Sequence, residues 1–209
     1  MSLLAGFLLT LAAGACPPPA HATFDVLVLH GPIALRSDYK LAEISGMAAT
    51  QAAPLAHEPV GFYRADMQPS VQVDLADPDV QGCHSSVYVM VKLALTNRQI
   101  QIAKDLADKP CTMDASRTHY REHAAADDAV VSEFAKALKV ALPRMLLPPD
   151  GGIWSANQPR QEITRTLAET VERSLVGLDS ARDDARNRVD TPDEIAKLEA
   201  PCGNGPVER

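Results

Sequence analysis

Alternating hydrophobic and polar positions in the middle of the chain predict β-structure. Over residues 86–95, aliphatic side chains at odd-numbered positions are separated by Tyr88, Met90, Lys92 and Ala94, which is the period of two of a half-buried strand. Thr96-Asn97 is typical of a turn, and residues 99–103 alternate again. The pattern therefore predicts a β-hairpin.

The same period predicts two shorter strands. One covers residues 24–30 and ends at Gly31-Pro32, and the other covers residues 71–75. Residues 45–69 carry alanine, proline and histidine without a clean period, so they are predicted to be mostly loop.

A helical period of hydrophobic positions dominates the second half of the chain. Capping residues at 112–116 begin a long helix that is predicted to run to about residue 141. A second amphipathic helix is predicted over 157–188, and Thr191-Pro192 begins a short last helix. Together these patterns predict an α+β protein with a small antiparallel sheet packed against the long helix and the C-terminal helices.

The N-terminal residues resemble a signal peptide. Residues 3–13 form an apolar run that is too short to span a bilayer, and small residues at Ala20 and Ala22 predict cleavage after Ala22. We therefore assign residues 1–22 to a signal peptide, residues 23–200 to one domain and residues 201–209 to a flexible tail. An alternative takes Ala13-Gly14-Ala15-Cys16 as a lipoprotein signal, which would acylate Cys16.

Composition limits the classes of partner. The chain has 209 residues, 46% of them hydrophobic and 22% charged, which is enough for one domain with a real core. Its net charge of −7, without a stripe of lysine or arginine, argues against nucleic acid, because phosphate binding needs a concentrated basic surface. No segment after the N-terminal run is apolar and long enough to span a membrane. A periplasmic or secreted protein is expected.

Cysteine usage agrees with export. Cleavage after Ala22 leaves Cys83, Cys111 and Cys202, and a disulfide between Cys83 and Cys111 would staple the predicted hairpin to the start of the long helix. Such a loop contributes roughly 3–4 kcal/mol in the chain-entropy model. Cys202 is then the odd cysteine, which is free, intermolecular or a competitor for one of the others. The alternative is that the cysteines are reduced, buried thiols.

Two histidines on the long helix carry the chemistry of the chain. His119 and His123 lie four residues apart, so their side chains share one face, and Asp127 falls within about 80° of them. Zinc accepts two imidazoles and a carboxylate, and Glu122 would lie beside them as a base for a zinc-bound water. The sequence thus predicts Zn²⁺ bound by His119, His123 and Asp127. The third ligand could instead come from Glu162, Glu169, Glu172 or Asp190.

The residues around this pair resemble a family of bacterial exported proteins of unknown function, which are regarded as zinc-dependent proteases of the zincin type. In that family a strand pair leads to a cysteine, and His-Glu-x-x-His begins eight residues beyond it. Cys111 and His119 reproduce this interval, and His123 matches the second histidine. Residues 190–194 with Cys202 are also similar to the C-terminal portion of the family. The resemblance implies a zincin-like fold and a zinc site.

One position departs from the family pattern. Tyr120 stands where the catalytic glutamate should be, and Glu122 precedes the second histidine instead. The resulting His-x-x-Glu-His has the spacing of the inverzincins, although the context of those larger enzymes differs. Two outcomes follow: Glu122 replaces the missing base, or the site binds metal without hydrolysing a substrate. Chance also produces histidine pairs of this spacing in alanine-rich helices.

Two classes of function remain open at this point. The first is an exported, zincin-like metallopeptidase with an altered site, whose substrate would be an extended peptide paired with a sheet edge. The second is a non-enzymatic periplasmic protein that binds metal or a protein partner. In the second class the helix carries its histidines without a catalytic duty.

Overall fold

A computed structural model describes residues 16–48, 59–147 and 153–191, together with Cys202. Within these residues the strands are β1 (His21–His30), β2 (Ala34–Arg36), β3 (Gly61–Leu75) and β4 (Ser86–Ile102). The helices are α1 (Leu41–Ala48), α2 (Pro110–Leu146), α3 (Arg160–Ser174) and α4 (Leu178–Asn187). A sheet and helices together make the α+β class that the sequence predicts.

The sheet is built around β4, which pairs with the other three strands. β2 runs parallel to β4, with Ala34 opposite Gln99. β1 is parallel as well, because its two ends bond in the same direction: His21 N–H donates to Ser85 O and Gly31 N–H to Leu95 O. β3 is antiparallel to β4, since Ala76 bonds Ser86 at one end and Ala103 bonds Val60 at the other. The sheet is therefore mixed, and the prediction of an antiparallel sheet is wrong.

The predicted hairpin is a single strand of 17 residues. Asn97, with a φ of 49°, is a bulge rather than a turn: buried side chains fall on odd positions up to Leu95 and include Arg98 and Ile100 after it. The Asn97 amide donates to Asp66 Oδ2 at 2.7 Å. Asparagine is favoured both in bulges and in tight turns, so the alternation of hydrophobic and polar residues on either side of Asn97 did not distinguish the two.

The helices differ from the prediction in their ends. α2 is 37 residues long, and the predicted 157–188 helix is divided into α3 and α4. Gly177, whose φ of 93° suits glycine, precedes α4 and separates the two. Residues 61–69 belong to β3 rather than to a loop. The predicted last helix falls on residues outside the described ones. In the described part of the chain, no helix is long and apolar enough to cross a membrane.

The described residues divide into two compact units. The first takes in the described parts of Met1–Asp25, Val71–Met90 and Lys139–Ser174. Trp154 is buried there and its indole donates to Leu146 O at 3.1 Å. The other fully or nearly buried hydrophobic residues described in this unit are Cys16, Leu75, Val87, Val89, Leu142, Leu146, Ile163, Leu167 and Val171.

The second unit comprises the described parts of Val26–Ser70, Val91–Leu138 and Leu175–Arg209. One hydrophobic cluster joins α1, β3, the end of β4 and the first turns of α2; its buried members are Ile44, Tyr63, Ile100, Ile102, Ala103, Leu106, Tyr120 and Ala124. Gly61 allows the chain to approach closely here. A Cβ on Gly61 would overlap Gln101 O and lie 2.6 Å from Cε2 of Tyr120.

Two disulfides close long loops, and neither is the predicted one. Cys16 bonds Cys83, and Cys111 bonds Cys202, each with its Cα atoms 5.7 Å apart. The prediction of a Cys83–Cys111 bridge is wrong because it assigned Cys16 to the removed leader and so lacked a partner for Cys202. Two disulfides in one chain are typical of an oxidising, extracytoplasmic compartment.

Candidate metal centre

One face of α2 is buried from Ser116 to Leu146, but its chemistry changes along the helix. Buried residues recur every three or four positions, with two adjacent pairs at 119–120 and 123–124, which is the pattern of a single broad helical face. They are Ser116, His119, Tyr120, His123, Ala124, Asp127, Val131, Ala135, Leu138, Leu142 and Leu146. The first half of this face is therefore polar and the second half apolar. Burial of polar groups requires partners, so the polar half indicates a site.

The predicted histidine pair comes together as the helical spacing requires. His119 and His123 are 4% and 6% exposed, and their Nε2 atoms lie 3.0 Å apart. Asp190, which follows α4, places its Oδ1 atom 3.0 Å from each Nε2. These three side chains are the one group in the described part of the chain whose ligand atoms could jointly hold a metal ion.

The three atoms of this arrangement need a positive group between them. Each imidazole Nε2 offers one in-plane direction, which carries either a proton or a lone pair. Both Nε2 atoms face each other and the same carboxylate oxygen, so their lone pairs repel one another unless imidazole protons or a cation lie between them. A cation at the common point removes the conflict, because all three atoms can then act as donors of electron pairs.

The size of the triangle is compatible with a zinc ion. Its three edges are each 3.0 Å. Nitrogen and oxygen ligands of zinc lie about 2.0–2.2 Å from the ion, which in a tetrahedral site separates them by roughly 3.4 Å. An expansion of a few tenths of an ångström per edge would suffice.

The carboxylate of Asp190 is held in its charged form. Burial raises its pKa, but hydrogen bonds from His119 and His123, with their charges, outweigh burial and hold the pKa well below its usual range. A metal ion would take the place of the imidazole protons beside this carboxylate, because histidine binds a metal as the neutral imidazole.

Tyr120, which the sequence resemblance places where a zincin would carry its catalytic glutamate, packs against both histidines. Its ring stacks on His123 with centroids 5.6 Å apart and meets the edge of His119 at 5.1 Å. Burial foremost, and then the charge of Asp190, raise the pKa of the Tyr120 hydroxyl above its usual value, although the Gly61 N–H opposes this. Tyr120 is therefore protonated at neutral pH and cannot serve as a base there.

The structure does not bring Glu122 into the group. Glu122 is exposed on α2, whereas the histidines are buried. Its catalytic role therefore stays a prediction, and no contact in the structure supports it.

Asp127 lies on the same helical face as the histidines, but it has other partners. It is fully buried, and Arg182 of α4 donates to both of its oxygens, Nε to Oδ1 at 2.7 Å and Nη2 to Oδ2 at 3.1 Å. The Tyr63 hydroxyl donates to Oδ2 at 3.1 Å. With both oxygens engaged, Asp127 lies outside the group that could hold a metal ion, and Asp190 is the carboxylate of that group. Asp190 was one of four alternatives that the sequence left open, and Arg182 carried no signal in the sequence.

A chain of polar contacts continues from Asp127. Burial foremost raises the pKa of Tyr63 to about 12, and the nearby Asp127 charge adds to the rise. Arg98 reaches the Tyr63 hydroxyl at 3.3 Å and donates to both oxygens of Asp128 at 2.8 Å. His30 contacts the same Asp128 at 2.8 Å. These contacts link the part of α2 that follows the histidines to β3, β4 and His30 of β1.

No protein-family model, curated protein or solved structure matches the chain.

Proposed function

We propose that this protein is an extracytoplasmic zinc-binding protein with a zincin-like metal centre, in which the base of a peptidase has been replaced. The observation that carries the proposal is the convergence of His119 Nε2, His123 Nε2 and Asp190 Oδ1, each 3.0 Å from the other two.

The donor set favours zinc over the hard cations. Two imidazole nitrogens and one carboxylate oxygen suit zinc, whereas calcium and magnesium prefer oxygen ligands alone. Copper(II) and nickel(II) also bind imidazole, so selectivity has to be measured rather than assumed. Three protein ligands are typical of a site with a fourth position for water or a small ligand.

The residues around the centre support binding rather than peptide hydrolysis. A bound zinc would lower the pKa of a water molecule, but hydrolysis also needs a base beside that water. Tyr120 is a neutral phenol at the position of the base, and Glu122 is exposed. The role that fits is a metal-binding protein derived from a peptidase fold, in which Tyr120 packs the two imidazoles in place.

The test is the metal content and zinc affinity of the oxidised protein. We expect one zinc per chain in the native protein and none in the double variant His119→Ala/His123→Ala. His30→Ala is the matched control, because it removes an imidazole that contacts Asp128 outside the proposed centre. It should bind zinc as the native protein does.

Asp190→Asn tests the third ligand. It keeps the size of the side chain but removes the charge, so it should weaken zinc binding while both histidines remain. Equal zinc binding by the native chain and a folded double histidine variant would refute the proposal. It would favour a structural or interaction protein instead.

A further inference from the structure

Cys16 is an integrated part of the first unit. It is 5% exposed, its sulfur bonds Cys83, and its backbone N–H donates to Trp154 O at 3.1 Å. A residue with a covalent bond, a backbone hydrogen bond and almost no exposed surface belongs to the folded protein. It does not fit a leader that is removed before folding.

The residues that follow Cys16 are also part of the fold. Pro19 is buried, and β1 begins at His21, whose N–H donates to Ser85 O at 3.2 Å. Cleavage after Ala22 would remove the first two residues of β1. It would also take Cys16 away and leave Cys83 as a single thiol in an oxidising compartment.

A second cleavage signal lies directly before Cys16. Ala13-Gly14-Ala15 has small residues at its first and third positions, as signal peptidase requires, and it follows the apolar run more closely than Ala20-His21-Ala22 does. We propose that the leader is cut between Ala15 and Cys16 and that Cys16 becomes the N-terminal residue of the mature protein.

The thiol of Cys16 is then used for the disulfide and not for a lipid. Hydrolysis of the Ala15–Cys16 peptide bond consumes one water and frees the amine of Cys16. The thiols of Cys16 and Cys83 then lose two protons and two electrons to the disulfide of a thiol-oxidising enzyme of the exporting pathway, which becomes a dithiol. A lipid attached through a thioether would need the same sulfur, so lipid attachment at the Cys16 sulfur and this disulfide exclude each other.

The experiment is the intact mass of the exported protein, produced from the whole chain with its own leader and alkylated with and without reduction. We expect a chain that begins at Cys16, with no alkylation before reduction and four alkylated cysteines after it. A chain that begins at Thr23 with one free thiol would overturn the proposal. A lipid-modified Cys16 that partitions into detergent would overturn it as well, and so would a chain that keeps residues 1–15.

Two matched variants locate the cut independently of the fold. Ala13→Tyr places a bulky residue three positions before the proposed cut, and Ala20→Tyr does the same for the cut after Ala22. Ala13→Tyr should accumulate uncut precursor, whereas Ala20→Tyr, at an exposed residue, should be processed as the native chain is. The opposite result would assign the cut to Ala22.

Discussion

Asp127 and Arg182 form a buried, two-point ion pair that ties α2 to α4. The Arg182 side chain is 4% exposed and that of Asp127 0%, and their closest atoms are 2.7 Å apart. Asp127 lies eight residues after His119, and Arg182 lies eight residues before Asp190. The pair therefore links α2, which carries both histidines, to α4, which leads to Asp190.

We expect Arg182→Met to destabilise the protein by about 3–5 kcal/mol, because it leaves the Asp127 carboxylate buried without its partner. The double variant Arg182→Met/Asp127→Leu should recover most of this loss, since neither charge remains. Chemical denaturation measures both. Zinc affinity should fall in the double variant even where stability returns, because α4 has lost its polar tie to α2.

Asp179→Ala is the control for the Arg182 variants. Asp179 also pairs with Arg182, but its side chain is 81% exposed, so its loss should cost no more than about 1 kcal/mol. If Asp179→Ala lowered the free energy of unfolding as much as Arg182→Met does, the buried Asp127–Arg182 pair would contribute no more than the exposed Asp179–Arg182 pair.

The disulfides allow a second test of how Asp190 is positioned. Cys111 lies eight residues before His119, and Cys202 lies twelve residues after Asp190. The Cys111–Cys202 disulfide therefore attaches the chain beyond Asp190 to the start of α2. Cys111→Ser/Cys202→Ser should lower the free energy of unfolding by up to about 5 kcal/mol in the chain-entropy model and weaken zinc binding.

Cys16→Ser/Cys83→Ser is the matched control. It opens a loop of 67 residues instead of 91, so the entropic loss is similar. Its bond lies in the first unit, whereas all three ligands belong to the second. Zinc titration of both folded variants should therefore show weaker binding only when Cys111 and Cys202 are changed. Equal weakening would indicate a general loss of stability.

Local periodicity was sufficient to predict the helix that carries the two histidines. The spacing of His119 and His123 placed both on one face of that helix, and the structure brings their Nε2 atoms to 3.0 Å. Periodicity also identified residues 86–95 as a strand. These features depend on neighbours within a few turns, which a sequence shows directly.

Features that depend on distant partners were not predictable in the same way. Asp127 and Asp190 are both carboxylates, but Asp127 is engaged by Arg182 of α4, whereas Asp190 contacts the two histidines, and neither pairing follows from the local sequence. The Cys16–Cys83 disulfide was not predicted because residues 1–22 were assigned to a removed leader. Asn97 permits a bulge as readily as a turn. Because the sequence prediction took it as the turn of an antiparallel hairpin, it missed the single strand β4 and the mixed sheet built around it.

Tyr63 provides a test at alkaline pH. Its pKa is raised to about 12, so its contribution to stability is complete below the unfolded value of about 10 and is lost as the pH rises through 12. Absorbance titration of tyrosinate should show a step near pH 12 that is missing in Tyr63→Phe. The stability of Tyr63→Phe should also lack the decline that this group causes between these two values. Ionisation of every tyrosine near pH 10 would contradict the buried contact between Tyr63 and Asp127.

Restoring a carboxylate at residue 120 asks whether the centre descends from a peptidase. Tyr120→Glu places a carboxylate next to His119, at the position where the zincin motif carries its base. We expect the native protein to show no zinc-dependent cleavage of an unstructured protein substrate and Tyr120→Glu to show slow cleavage that a chelator stops. Tyr120→Phe keeps the ring against the histidines without a base, so it should bind zinc and stay inactive.

Because glutamate replaces a buried ring, zinc binding by Tyr120→Glu has to be verified before its activity is judged. If that variant binds zinc and still cleaves nothing, the surroundings of the metal have lost more than the base, and a purely metal-binding role is favoured. Cleavage by the native chain that survives in Tyr120→Phe and is lost in Glu122→Gln would instead make Glu122 the base.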